Sequence, residues 1–98
     1  MKAIRTPAAD RDLDEIAWYI AVHERRPRTA ERVIDEVIAK CELHAAGPMM
    51  GTAMPALCPE CRVFAHKRWV VIFRPLRDGI EVLRIVDGAR DYDRLFDV

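Results

Sequence analysis

Leu13, Ile16, Ala17 and Ile20 recur at the i, i+3, i+4 and i+7 positions of one helical face, with Asp10, Asp12, Asp14 and Glu15 around them. The spacing predicts an amphipathic helix over residues 7–23. Thr6 is placed to cap it, Pro7 is preset for its first position, and the early carboxylates suit the positive end of its dipole. Trp18 and Tyr19 widen the apolar stripe, so part of this helix is expected to face a partner rather than the domain's own core. Glu24–Arg28 holds Pro27 and three arginines and predicts a break. From Thr29 as a second cap, Ala30, Val33, Ile34, Val37, Ile38 and Cys41 continue the helical period until Gly47-Pro48 stops it. Two helices joined by so short a linker predict an antiparallel hairpin.

Beyond the hairpin the period changes. Residues 48–60 carry three prolines and a glycine without periodicity and predict an ordered loop or an extended crossover. Cys61–Ala65, Trp69–Arg74 and Ile80–Val86 are rich in Val, Ile, Phe and Trp, and turn residues including Asp78-Gly79 separate them. They predict a three-stranded antiparallel meander whose middle strand, apolar on both faces, is central. Lys2–Arg5 is expected to be a short strand. Asp87–Val98 is expected to form a short terminal helix or a tail docked by Leu95 and Phe96. The order β-α-α-β-β-β gives an α+β fold class, one domain over residues 1–98, with an antiparallel sheet packed against a helical hairpin and its other face left for partners.

Composition narrows the function classes. Ninety-eight residues suffice for one core and not for two. Sixteen basic residues balance sixteen acidic ones, and the balance holds in each half, so bulk attraction to phosphate is excluded and strong direct nucleic-acid binding is not expected. The basic residues are thirteen Arg and three Lys, which favours local bidentate recognition of carboxylate or phosphate. The first residues lack a signal-peptide core and no run approaches a membrane span, so a cytoplasmic location is expected. Three cysteines, an odd number, suit a reducing compartment better than a disulfide framework.

Cys58-Pro59-Glu60-Cys61 has the CxxC spacing of half a zinc site, but Cys41, His44 and His66 lack ligand spacing, so an incidental loop pair and no metal is the expectation. A redox CxxC favours a helix start, and this one enters a strand. The chain contains no serine and its histidines are isolated, which leaves little for a hydrolytic triad. His23 and His44 are read as residues favoured by helix ends, and His66-Lys67-Arg68 as a small solvated cluster. What remains is a row of arginines on or beside the strands: Arg62, Arg68, Arg74, Arg84 and Arg90. They could grip phosphate or an acidic partner segment, or simply pair with nearby carboxylates.

In the order and spacing of these pieces the chain resembles the RelE/ParE superfamily, the toxins of bacterial type II toxin–antitoxin pairs. The resemblance is carried by residues 12–20, the Ala30…Ile38 helix, Pro48-Met49-Met50-Gly51, Arg62, Val70-Val71-Ile72-Phe73-Arg74 and residues 82–91. Many relatives have histidine where Asp87 stands. The RelE-like branch cleaves mRNA on the ribosome with basic strand residues and a C-terminal aromatic hydroxyl, which act as acid, base and phosphorane stabilisers without a metal. Here those positions hold Cys61, Val63, Val70 and Phe96, and only Arg90 is kept.

The resemblance is therefore closer to the ParE-like branch, which implies a non-enzymatic toxin with no cofactor. It implies inhibition of DNA gyrase by binding and by trapping cleaved DNA. It also implies neutralisation by a ParD-like ribbon-helix-helix antitoxin, whose amphipathic C-terminal segment lies in the groove of the helix hairpin. Trp18, Tyr19, Arg62 and Arg74 are the candidate antitoxin contacts. Arg84, Arg90, Asp91, Leu95 and Phe96 are the candidate target contacts. The alternatives are a RelE-like interferase working with Lys67, Arg68, Arg74 and Arg90, and an inactive relative that only binds its antitoxin.

Overall fold

Lys2–Arg5 does form a strand (β1), but it pairs with the last strand in sequence and runs parallel to it, with Lys2 opposite Gly79 and Arg5 opposite Val82. The computed structural model describes residues 2–89. After β1 come helix α1 (Pro7–Trp18), a five-residue π-helical turn (Tyr19–His23), helix α2 (Pro27–Ala46), and strands β2 (Thr52–Ala53), β3 (Arg62–His66), β4 (Trp69–Leu76) and β5 (Gly79–Asp87). The sheet order is β1-β5-β4-β3-β2. The fold class is α+β as the pattern requires, and the β3-β4-β5 meander is antiparallel. The sheet as a whole is mixed, because β1 adds in parallel after a crossover that no local pattern encodes.

Thr6 caps α1, its hydroxyl accepting from the Ala9 amide at 3.1 Å while donating to the Leu83 carbonyl at 2.8 Å, which ties the helix start to β5. Thr29 does not cap α2. Pro27 takes the first helical turn directly after Arg26, so the break is only Glu24–Arg26, and Arg25 reverses the chain with a φ of 56°. The end of α1 also departs from the periodic reading. The Glu24 amide bonds to the Tyr19 carbonyl, a wider turn than an α-helix makes, which inserts a residue while keeping Ile20 buried.

The main core joins Leu13, Ile16 and Ile20 of α1 and Val33, Val37 and Cys41 of α2 to Phe64, Val71, Phe73, Ile80, Val82 and Ile85 of the sheet. The opposite face is not left bare. Cys61, Ile72 and Val86 are buried there, and Leu57 and Cys58 of the 54–61 segment pack against them, so the loop between α2 and β3 builds a small second core. Part of that loop is β2, which pairs with β3 at Val63 and Arg62.

Candidate functional site

The two helices meet along a shallow open groove of about 570 Å³. Ala17 and Ala21 of the first helical segment face Ala30 and Ile34 of α2 across it, and Pro27 lies at the closed end of the hairpin. Small side chains keep it open. Glu31 and Asp35, also in the lining, give α2's rim a negative charge. One position further round the first helix, Trp18 is 61% exposed and Val22 is 55% exposed, four residues apart and so on the same side. Isolated exposed apolar residues are ordinary, but this tryptophan and valine each follow a residue that lines the groove, Ala17 and Ala21. Among the described residues this is where an amphipathic segment fits best.

Of the residues singled out in the sequence, Trp18 lies beside this groove. Tyr19 beside it is half-buried against the core, stacked on His23 at 4.7 Å between ring centroids, with the Arg68 guanidinium 5.6 Å from its ring. Tyr19 is thus held by its own chain and only half-exposed. The structure does not bring Arg62 and Arg74 to the groove. Arg62 donates to the Met50 and Gly51 carbonyls at 3.2 and 3.0 Å and anchors the loop after α2. Arg74 pairs with Glu81 across the β4–β5 ladder at 2.6 Å.

The arginine row resolves into internal ion pairs. Arg84 donates to Asp12 through Nε at 2.7 Å and Nη2 at 3.1 Å, and the same carboxylate accepts the Ile85 amide at 2.8 Å. Arg68 donates to Asp87, through Nε at 3.1 Å, and its guanidinium stands 4.6 Å over the Trp69 ring. The hydrogen bond to Asp87 is the main cause that raises the Arg68 pKa further above its already high value. Asp87 is buried, and its other oxygen accepts the Ala89 amide, so where relatives carry histidine this chain carries a structural carboxylate.

The His66-Lys67-Arg68 cluster is likewise not merely solvated. His66 and Lys67 reach Glu36 of α2 at 3.2 and 3.3 Å. The hydrogen bond from His66, followed by Lys67, lowers the Glu36 pKa. His44 closes α2 through Nδ1 and the Lys40 carbonyl at 2.8 Å and stacks on Phe64 at 4.0 Å. That aromatic contact was missed by a reading confined to its place at the helix end. Arg90, Asp91, Leu95 and Phe96 lie outside the described residues.

Cys61, Val63 and Val70, which stand where a ribonuclease of this scaffold has basic groups, are packed in the second apolar cluster. Cys58 and Cys61 are joined as a disulfide rather than standing as an incidental pair, with their Cα atoms 5.0 Å apart. No group of three or more potential metal-binding side chains occurs among the described residues. No helix there is long and apolar enough to cross a membrane.

The family model of the ParE toxin of type II toxin–antitoxin systems (parDE) matches residues 3–92. The chain belongs to this family. Among solved structures, the chain is similar to one described as the chromosomal ParDE toxin–antitoxin system from P. aeruginosa. The two share 22% identity and a TM-score of 0.71 over 89% of this chain and 95% of that one. At that identity the likeness is one of fold. No curated protein matches the sequence. In this ParE-family chain the α1–α2 groove and the exposed Trp18 and Val22 beside it are accessible, while Arg74 of β4 and Arg84 of β5 are engaged within the fold.

Proposed function

We propose that this ParE-family chain inhibits DNA gyrase by binding rather than by chemistry of its own, and that a ParD-like antitoxin neutralises it. The observation that carries the non-enzymatic reading is the packing of Cys61, Val63 and Val70 in an apolar cluster. Phosphodiester transfer needs a base, an acid and a cation around the reacting phosphate. Three of the family's positions for such groups here hold two half-buried valines and a buried cysteine. Of the remaining basic candidates, Lys67, Arg68 and Arg74 are paired with Glu36, Asp87 and Glu81, and Arg90 lies outside the described residues.

The antitoxin's amphipathic segment lies along the α1–α2 groove, its small apolar side chains against Ala17, Ala21 and Ile34 and its basic ones toward Glu31 and Asp35. Trp18 is the anchor on the rim. The test is a cleavage assay with purified gyrase, supercoiled plasmid, ATP and this chain, stopped with detergent and protease. Linear DNA should accumulate in proportion to the added chain and should disappear when the antitoxin is added first. Intact plasmid together with cut mRNA on translating ribosomes would replace this reading with the interferase one.

A further inference from the structure

The gyrase binding proposed for this chain makes no use of the Cys58–Cys61 pair. The two cysteines sit at the first and fourth positions of a tight turn whose second position is Pro59, and the Cys61 amide donates to the Cys58 carbonyl at 3.1 Å. Proline at the second position presets such a turn, so the backbone itself brings the two side chains within bridging distance. The environments of the two sulfurs differ. Cys61 is only 3% exposed, in contact with the cluster of Ile72 and Val86, whereas Cys58 is half-buried at its margin. The segment they close is the one that roofs the outer sheet face. The Met54 amide donates to the Cys61 carbonyl at 2.8 Å and the Leu57 amide to the Met54 carbonyl at 3.0 Å. Cys41, the remaining cysteine, is buried in the main core on α2, and burial pushes its thiol up to about 11, so it does not compete.

We infer that Cys58 and Cys61 form a reversible thiol–disulfide site that exchanges with low-molecular-weight thiols and disulfides and staples the 54–61 roof onto the outer face of the sheet. A small thiolate attacks Sγ of Cys58, the reachable sulfur, forming a mixed disulfide and expelling the Cys61 thiolate, which takes a proton from water. A second small thiolate attacks the external sulfur of that mixed disulfide, releasing the small-molecule disulfide and the Cys58 thiol. The protein gains two thiols and two small thiols are oxidised to one disulfide. In the reverse direction a small disulfide is reduced to two thiols while the intrachain bond forms. Reduction leaves the turn in place but frees the roof to open from Ile72 and Val86.

The test equilibrates the full chain in buffers of graded oxidised-to-reduced glutathione ratio, quenches it in acid, and counts alkylated thiols by mass after unfolding. The expected result is three adducts at the reducing end and one at the oxidising end, changing by two together, with the remaining adduct mapped to Cys41. Cys61→Ala should remove the step and trap a glutathione adduct on Cys58. Hydrogen exchange at the Met54 and Leu57 amides should be roughly tenfold or more faster in the reduced chain. Three adducts at every ratio, or a bond to Cys41 or to a second chain, would overturn the site. Unchanged exchange at those amides would overturn the staple.

Discussion

Asp12 stands in for a missing strand. β1 ends at Arg5, so the edge of β5 beyond Val82 has no ladder partner there, and the Asp12 carboxylate accepts the Ile85 amide that a strand would have accepted. It also holds Arg84. Asp12→Ala strands a buried amide and removes one partner of the half-exposed Arg84 guanidinium, with an expected loss of about 2–3 kcal/mol in urea unfolding, below the full cost of a buried pair because water reaches Arg84. Asp12→Asn keeps an acceptor for the amide and is expected to lose about half as much. A loss within 0.5 kcal/mol for the alanine variant, a surface-like value, would refute the strand-substitute role.

Cys41 gives a pH signature. Its thiol ionises at 9.0 when unfolded and at about 11 in the fold, so the unfolded chain sheds a proton first as pH rises. Stability is therefore expected to fall as pH rises from 9.0 toward about 11, and Cys41→Ala should remove that slope in a pH series of unfolding curves. Glu36 runs the other way. Its pKa lies below the ordinary 4.5, so the stability it contributes is present above that value and is lost as pH falls through the lower folded pKa.

At the scale of elements, the helices were legible because their periods are strong. Leu13 and Ile16 of α1 and Ala30, Val33, Val37 and Cys41 of α2, spaced three and four apart, are buried as that period requires. Ala17, Ile34 and Ile38 are half-buried, and Asp12 and His44 are buried outside the apolar pattern. The meander was legible from its runs of Val, Ile, Phe and Trp between turn residues, the middle one apolar on both faces. What local pattern could not show is the parallel seat of β1, since pairing across 77 residues, from Lys2 to Gly79, leaves no trace in either segment alone. Gly79 marks the seat only afterwards. It has a φ of 149°, and a Cβ there would lie 1.9 Å from the Lys2 carbonyl oxygen. Gly79→Ala is accordingly expected to displace β1 and to cost roughly 2–4 kcal/mol, seen as lost protection of the Lys2 and Ile4 amides in hydrogen exchange.

The candidate site was partly legible. Trp18 was visible as an aromatic beside the core stripe, but the groove depends on Ala17, Ala21 and Ala30, whose small size reads as helix propensity and not as a recess. The π-turn was invisible because Tyr19–His23 satisfies an α-helical pattern as well. Trp18→Ala is expected to leave the melting temperature within a degree or two and to weaken antitoxin capture roughly tenfold or more in a titration. Equal affinity for both chains would remove the groove from the account.

At the scale of the whole molecule, zero net charge is distributed as specific pairs: Arg5–Asp10, Arg68–Asp87, Arg74–Glu81 and Arg84–Asp12. The sequence showed the arginines and could not show their partners, because all four pairs close between residues on different segments of the fold. A basic row that looked available for phosphate is largely committed to holding the sheet and α1 together. Arg74→Ala is then expected to cost about 0.5–1 kcal/mol of stability and to leave growth inhibition unchanged, whereas an interferase using Arg74 would lose its effect on translation.

The central claim is that this chain acts on gyrase and not on the ribosome. Pulse-labelling of DNA and protein synthesis in bacteria, within minutes of inducing the chain without an antitoxin, tests it most directly. The account expects thymidine incorporation to fall first, followed by a DNA-damage response, with amino-acid incorporation declining later. Amino-acid incorporation falling first, with DNA synthesis initially intact, would contradict it.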